Sequence, residues 1–511
     1  MPYRKVRTED MTMKKTCLLT TPVRRINRRQ FLKIAASATL IPAIRAGGQK
    51  ASAKPMKMVS MDHGHVVDEN GREMLLRGIN AGSWFMIEPW ICGIGLTLKD
   101  HLRQLARECE VEGALREAFL RVGPFDDDTM LLPEYLDRIA RAVEQNASGD
   151  GPGKFREQLR REPPVLDAVS LDRLLRERFG GSGADSFWAA LHECWITPDD
   201  LRAARDAGFN FIRLPFWYRW VESEDARGVC SESGLRLLAS AVAMAAEAGM
   251  YVLLDLHGAP GGQSMWDHTG EMGRNAFFAT QDYQERAARL WRGIAERFRN
   301  EPAVLGYDLL NEPAGAPDIS TWGKAHDGMY RAIRAVDADR LIVMEDGYKT
   351  EEPRYFLKGW FPRPEDMGWR NVMYSLHFYK TGTFEIHVRQ ARLVTRLADR
   401  ERRRCGVPIY IGEFNAIEDS PDGLRAMTHY GKTFSVSGLH WSPWTLKYCG
   451  EDAASTLWGL RRCREPWEPL NPHRDSLDAL MEGVRRYADG RYFHTHEPYA
   501  AAIRSAMETS R

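Results

Sequence analysis

Val304-Leu305-Gly306-Tyr307-Asp308-Leu309-Leu310-Asn311-Glu312-Pro313 is apolar with little interruption until it ends in an amide, an acid and a proline. A strand with one wet face alternates apolar and polar residues, so a continuous run implies burial on both faces, as in a parallel sheet. The pattern recurs along the chain. Short apolar runs at 75–79, 209–215, 251–257, 304–311, 341–345, 372–377, 409–413 and 439–444 make eight candidate strands. Helical periodicity fills most of the intervals. Thr197-Pro198-Asp199-Asp200 is a capped start for a helix to Gly208, and further helices are expected over 234–249, 283–299, 322–336, 383–404 and 424–435. Eight such units predict an α/β protein with a (β/α)8 TIM barrel. Before the first unit, the Asn70-Gly71 pair between the arms 65–69 and 72–76 predicts a β-hairpin.

One interval breaks the pattern. Nearly a hundred residues separate Trp90 from Trp188, whereas connections of this kind are usually about 2–6 residues long. Helix-forming stretches at 98–119, 133–143 and 170–179 are divided by Gly123-Pro124-Phe125-Asp126-Asp127-Asp128 and by Ser148-Gly149-Asp150-Gly151-Pro152-Gly153. They predict a helical insertion over 93–188 within a barrel domain spanning 54–511. An insertion after the first strand emerges on the face where barrel enzymes carry their chemistry, so it should form one wall of a substrate cleft.

The remaining composition limits location and partners. The chain has 511 residues, 43% hydrophobic and 28% charged, with a formal charge of +1. Residues 1–53 hold 12 Lys/Arg against 2 Asp/Glu, leaving 59 basic and 68 acidic residues in the body, a net of −9. A mildly acidic body argues against nucleic acid or an anionic membrane as partner. In the basic head, Asn27-Arg28-Arg29-Gln30-Phe31-Leu32-Lys33 precedes a short apolar run (34–44) and then Ala51-Ser52-Ala53. That order predicts a signal peptide over 1–53, too short in its apolar part to span a bilayer. Its motif resembles the twin-arginine export signal, which implies passage of a folded precursor through the twin-arginine machinery to a periplasmic or secreted location. Seven scattered cysteines outside the head suit folding in a reducing compartment before export, rather than a disulfide framework or a thiolate metal site.

Polar residues sit where a barrel would put them to work. Arg213, His257, Asn311, Glu312, His377 and Glu413 all lie at or just past the C-terminal ends of apolar runs, which converge on one face of a closed barrel. Glu312 and Glu413 are 101 residues apart in sequence but close across such a mouth. Two carboxyls facing one bond are what glycoside hydrolysis needs: one protonates the leaving oxygen, and the other attacks or activates water. Asn311 is placed to bond a sugar hydroxyl. His377 and Tyr379, two apart on one strand face, are placed to orient and tune the second glutamate, and Trp444 offers a flat platform for a pyranose ring. This chemistry requires no cofactor and no metal. Two alternatives stand beside it: a carbohydrate-binding barrel without catalysis, and a metal-dependent barrel hydrolase using His63 and His65, although those histidines precede the first strand.

Several stretches resemble glycoside hydrolase family 5, the cellulase-like retaining enzymes, over most of 65–450. They are Leu76-Arg77-Gly78-Ile79-Asn80 with Glu88-Pro89-Trp90; Gly208-Phe209-Asn210-Phe211-Ile212-Arg213-Leu214-Pro215; Asp255-Leu256-His257-Gly258-Ala259-Pro260-Gly261-Gly262-Gln263; Leu310-Asn311-Glu312-Pro313; His377-Phe378-Tyr379; Ile411-Gly412-Glu413-Phe414; and Trp441-Ser442-Pro443-Trp444-Thr445-Leu446-Lys447. The resemblance implies Glu312 as acid/base and Glu413 as nucleophile, surrounded by Arg213, His257, Asn311, His377, Tyr379 and Trp444, with Trp441 in the core. The 257–263 stretch followed by Asp267-His268-Thr269-Gly270 looks like the branch of exo-β-1,3-glucanases and glucosidases, which implies a β-linked glucan or β-glucoside as substrate. The insertion and Ser264-Met265-Trp266 depart from that branch.

Overall fold

In the computed structural model, Val304–Asp308 is the fourth of eight parallel strands. The structure describes residues 56–125, 130–349, 352–353, 358–450, 452–464 and 467–508, so the predicted signal peptide lies outside the described residues. The barrel strands are β1 (Gly78–Asn80), β2 (Phe211–Trp217), β3 (Tyr251–Gly258), β4 (Val304–Asp308), β5 (Leu341–Glu345), β6 (Val372–Tyr379), β7 (Ile409–Asn415) and β8 (His440–Trp441). Each pairs in parallel with the next, and a bridge between Arg77 and Trp441 joins the last to the first. The predicted (β/α)8 barrel is therefore the observed fold. Two edges are shorter than their apolar runs suggest: 75–79 contributes only its end to β1, and 439–444 only two residues to β8.

The N-terminal end of the barrel is closed by apolar packing. Val59, Val66 and Leu76 cluster with Phe211, Leu253, Leu305, Leu341, Met373 and Tyr410, so the N-terminal hairpin plugs the mouth where strands begin. Burying each such side chain is worth about 1.5–3 kcal/mol. Phe211 fills the barrel so fully that a Cβ at Gly78 would lie 2.4 Å from its ring. The Asn70-Gly71 turn forms as expected, with the Met74 N–H donating to the Val66 carbonyl at 2.8 Å. Among the described residues no helix is long and apolar enough to cross a membrane.

After β1 come the helices of the inserted stretch: α1 (Leu98–Glu108), α2 (Glu112–Val122), α3 (Leu132–Asn146), α4 (Gly151–Arg161) and α5 (Ala168–Cys194). Helices α1 to α4 bury a core of their own, including Leu102, Leu105, Leu115, Tyr135, Ile139, Val143 and Phe155. The side chains of α5 join the barrel core instead, through Leu171, Leu175, Phe187, Trp188 and Leu191. Two sequence expectations need correction. The single helix expected over 98–119 breaks at 109–111, where Glu110 takes the left-handed conformation (φ 57°) without a glycine to announce it. The stretch 148–153 does divide helices, but its second half also starts α4, a helix not expected, because Pro152 sits in the first turn, where its missing N–H costs nothing.

Asp167 anchors the insertion to the barrel. Its carboxylate caps α5 by accepting from the Ser170 N–H at 2.6 Å, and its other oxygen accepts from the Met272 N–H at 2.8 Å. Met272 lies in the loop that follows β3, and the Val169 N–H donates to Gly270 of the same loop at 3.0 Å.

Candidate active site

All eight residues singled out from the sequence converge at the C-terminal ends of the strands, and all but the half-buried Tyr379 are buried. Arg213, on β2, sits at the centre with none of its side chain exposed. It donates to Asp308 (2.8 Å), Glu345 (2.6 Å) and Glu413 (2.8 Å), lies 3.0 Å from Asp255, and reaches the side-chain oxygens of Asn80 (3.1 Å) and Asn311 (2.8 Å). Burial opposes its charge, yet Asp255, Glu345, Asp308 and Glu413 outweigh that and hold the guanidinium pKa well above its ordinary value. Asp255, Asp308 and Glu345 converge closely enough to hold a cation, and the Arg213 guanidinium already lies among them.

The two glutamates are held differently. Glu413, on β7, accepts from Arg213 Nη1 on one oxygen and from the Tyr379 hydroxyl (2.5 Å) on the other. Glu312 follows β4 with φ 39°, a left-handed conformation that costs a non-glycine residue about 1–3 kcal/mol. Its backbone N–H donates to Glu345 (2.9 Å), and one of its carboxyl oxygens accepts from His377 Nδ1 (2.7 Å). The other lies 3.7 Å from His268 Nδ1. Burial pushes the Glu312 pKa up, and the hydrogen bond from His377 pulls against it. A carboxyl oxygen of each glutamate and a nitrogen of His377 lie within 4.8 Å of one another.

His377 corrects the expectation that it serves the second glutamate. It bonds Glu312 at 2.7 Å and stands 3.7 Å from Glu413, although its strand pairs directly with the strand that carries Glu413. Asn311 spends its carbonyl oxygen on Arg213, and its buried amide nitrogen has no partner, which leaves a donor for a hydroxyl. His257 donates or accepts at Asp255 (2.7 Å) and stacks on Trp444 at 5.5 Å and 18°. Trp441 is fully buried beneath, as expected. Below His257, Gly262 is indispensable to the turn: a Cβ there would stand 2.0 Å from the Arg274 carbonyl.

His257, Asn311, Glu312, Tyr379, Glu413 and Trp444 line a cavity of about 300 Å³, with Glu88, Trp90, Trp266, His268, Ile417 and Trp458 completing it. The sequence reading passed over these, and over Asn80, Asp255, Asp308 and Glu345 as site residues. Glu345 had the usable signal, a lone acid ending an apolar run, as in Glu413. Burial, then Asp267 and Glu413, push the Glu88 pKa well up. Burial, then His257 and His377, push that of His268 well down. His63 and His65 lie in the hairpin at the opposite end of the barrel, where they pair with Asp62 and Glu73.

A barrel with this constellation defines a strand-end carboxylate site, and its family follows from comparison. The family model for Cellulase (glycosyl hydrolase family 5) matches residues 177–450, and the chain belongs to that family of O-glycosyl hydrolases. The chain is 26% identical over 301 residues to a beta-xylosidase of Phanerodontia chrysosporium, covering 54% of this chain and 61% of that protein. It is 25% identical over 308 residues to a probable glucan 1,3-beta-glucosidase A of Aspergillus fumigatus, covering 59% and 56%. It thus spans roughly three-fifths of the length of these curated relatives. The fold also matches the crystal structure of an endogalactoceramidase, with a TM-score of 0.50, 17% identity and coverage of 88% and 85%.

Proposed function

We propose that the protein is a retaining glycosidase of β-linked glucans or β-glucosides, with Glu312 as acid/base and Glu413 as nucleophile. The observation that carries this is the approach of the two glutamates, within 4.8 Å and joined through His377. Retaining enzymes space their carboxyls about 5–5.5 Å apart, whereas inverting ones leave about 6.5–9.5 Å for a water. Glu312 suits the acid, since burial favours its protonated form and its side chain lines the cavity. Glu413 suits the nucleophile, since it accepts from Arg213 and Tyr379. Asn311 offers its free amide nitrogen to the sugar, and Trp444 its face.

The relatives' names support β-glucosidic and related β-glycosidic substrates. The cavity of about 300 Å³ is at the small end of ligand pockets, which favours release of short units from chain ends. The first-formed product should keep the anomeric configuration of the substrate, read by proton NMR; an inverted anomer defeats the assignment of Glu413. A panel of β-1,3, β-1,4 and β-1,6 oligosaccharides and mannan, with product analysis, tests substrate and cleavage mode.

The precursor is proposed to leave the cytoplasm by the twin-arginine route, supported by Arg28 and Arg29 in their basic, apolar and small-residue setting. Replacing both with Lys keeps the charge but should stop processing, measured by pulse-chase; unchanged processing means an ordinary secretion signal.

A further inference from the structure

We propose that Glu345 is a positioning residue for the acid/base: it fixes the Glu312 backbone directly and the Glu312 carboxyl through His377. The proposal rests on Glu312 being the acid/base of a glycosidase.

Glu345 ends β5, between the strand that leads to Glu312 and the strand that carries His377. Its backbone is pinned by the Trp322 indole, which donates to its carbonyl at 3.0 Å. One carboxylate oxygen accepts from Arg213 (2.6 Å). The other accepts from the Glu312 N–H (2.9 Å) and lies 3.3 Å from His377 Nε2. The first of these contacts explains how a non-glycine residue keeps φ 39°, because a buried carboxylate at that N–H favours the conformation that points it there.

The second contact fixes a proton. Glu312 accepts from Nδ1, and Glu345 stands 3.3 Å from Nε2, at ion-pair distance though not in hydrogen-bond geometry, so an acid at each end of the His377 ring favours a hydrogen on both nitrogens. The charged and titratable groups facing that ring are Glu312, Glu345 and Glu413, with Arg213 and His268 beyond them. Burial works against the imidazolium, but Glu345 and Glu413 outweigh it and raise the His377 pKa well above the ordinary range. A donor at Nδ1 occupies one Glu312 oxygen, so the acid's proton resides on the other, 3.7 Å from His268 Nδ1, on a side chain that lines the cavity. Glu345 therefore acts on protonation of the leaving group without touching substrate.

The first test needs no variant. In wild-type protein with 15N-labelled histidine, both His377 ring nitrogens should carry protons at pH 7.5; a neutral ring at that pH overturns the proposal. The second test is Glu345→Gln, which keeps an acceptor for the Glu312 N–H and leaves Arg213 three carboxylates. His377 should lose a ring proton near neutrality. Across a series of aryl and alkyl β-glucosides the loss in kcat/KM should grow as the leaving group worsens, by about 10- to 100-fold from dinitrophenyl to alkyl. In a Glu312→Gln background, Glu345→Gln should add no further dependence on the leaving group. An equal loss for every leaving group overturns the proposal, as expected if Glu345 only supports the fold or acts on Glu413 through Arg213. If the wild type cleaves no glycoside, the proposed function fails, and the His377 titration still decides the role of Glu345. If Glu345→Gln does not fold, the wild-type spectrum decides alone.

Discussion

The strand-end site and the inserted helices solve the same problem of holding side chains in place by opposite means. Around Arg213, four acidic side chains and two amides are buried within reach of one guanidinium, and of these only Glu413 and Asn311 also line the cavity. In 98–161, an ordinary apolar core holds four helices together while their polar ties, such as Arg156 to Asp137 and Glu144, lie partly in water. A buried charge network is stiff but fails when one member is removed, whereas an apolar core with exposed ion pairs loses little per pair. The barrel thus concentrates its risk at the chemistry, and the insertion meets the loop after β3, two of whose residues line the cavity.

The largest effect should come from the two glutamates, because they differ inside the stiff region itself. Glu413→Ala should leave almost no turnover of any glycoside. Glu312→Ala should cost about 10²–10⁴-fold for poor leaving groups but spare formation of the intermediate from activated aryl glycosides, with azide restoring the second step as a β-azide. Steady-state rates over a leaving-group series check this, and equal losses would reject the two roles. The raised Glu312 pKa also has a direction: the acid keeps its proton above the ordinary value of 4.5, so the alkaline limb of kcat/KM should lie above that pH.

Next in size is Arg213→Met, which removes the cation from four carboxylates. Breaking a buried pair in this way costs about 3–5 kcal/mol, measured by denaturant unfolding at pH 7. The pH dependence has a definite sign. Burial opposes the charge of Glu345, but His377 and Arg213 outweigh it and hold its pKa well below the ordinary carboxyl value of 4.5. Its stabilising contribution is therefore complete above about that pH and falls away as pH drops through the lower folded value. The gap between wild type and Arg213→Met should narrow in acid; a constant gap would mean that Arg213 works by packing alone.

Much of the stiff region was readable from the chain, and the reason is physical. Parallel strands buried on both faces leave uninterrupted apolar runs, so an acid or histidine at a run's end stands out, as His257, Glu312, His377 and Glu413 did. The partners of Arg213 were harder to read because Asp255 and Asp308 interrupt their runs from within, where a charge resembles a defect until the cation across the barrel is known. The His377 assignment went to the wrong glutamate because spacing on one strand says which face a residue shares, and not which carboxyl its ring bonds. In the insertion, the break at Glu110 and the helix starting at Gly151 escaped because αL residues and first-turn prolines reverse the usual meaning of breaker residues.

The smallest effect belongs to the join between the two regions. Asp167 caps α5 and holds Met272, in the loop whose Trp266 and His268 line the cavity. Asp167→Ala removes a helix cap, worth about 0.5–2 kcal/mol, and loosens the loop's hold on the insertion, leaving the Val169–Gly270 bond, without touching Arg213, Glu312 or Glu413. If the insertion serves as a wall of the cleft, the consequence is selective. Turnover of a small aryl glycoside, which needs only the glutamates and their immediate partners, should stay within about twofold of wild type, since such a stability loss leaves the fold intact. KM for longer oligosaccharides should rise, because their outer units would meet a loop less firmly fixed in place. Comparing KM across a chain-length series for wild type and Asp167→Ala separates the possibilities. A parallel shift at every length would mean that the join only stabilises, and an unchanged series would mean that the inserted helices pack away from the substrate and serve a partner or the fold.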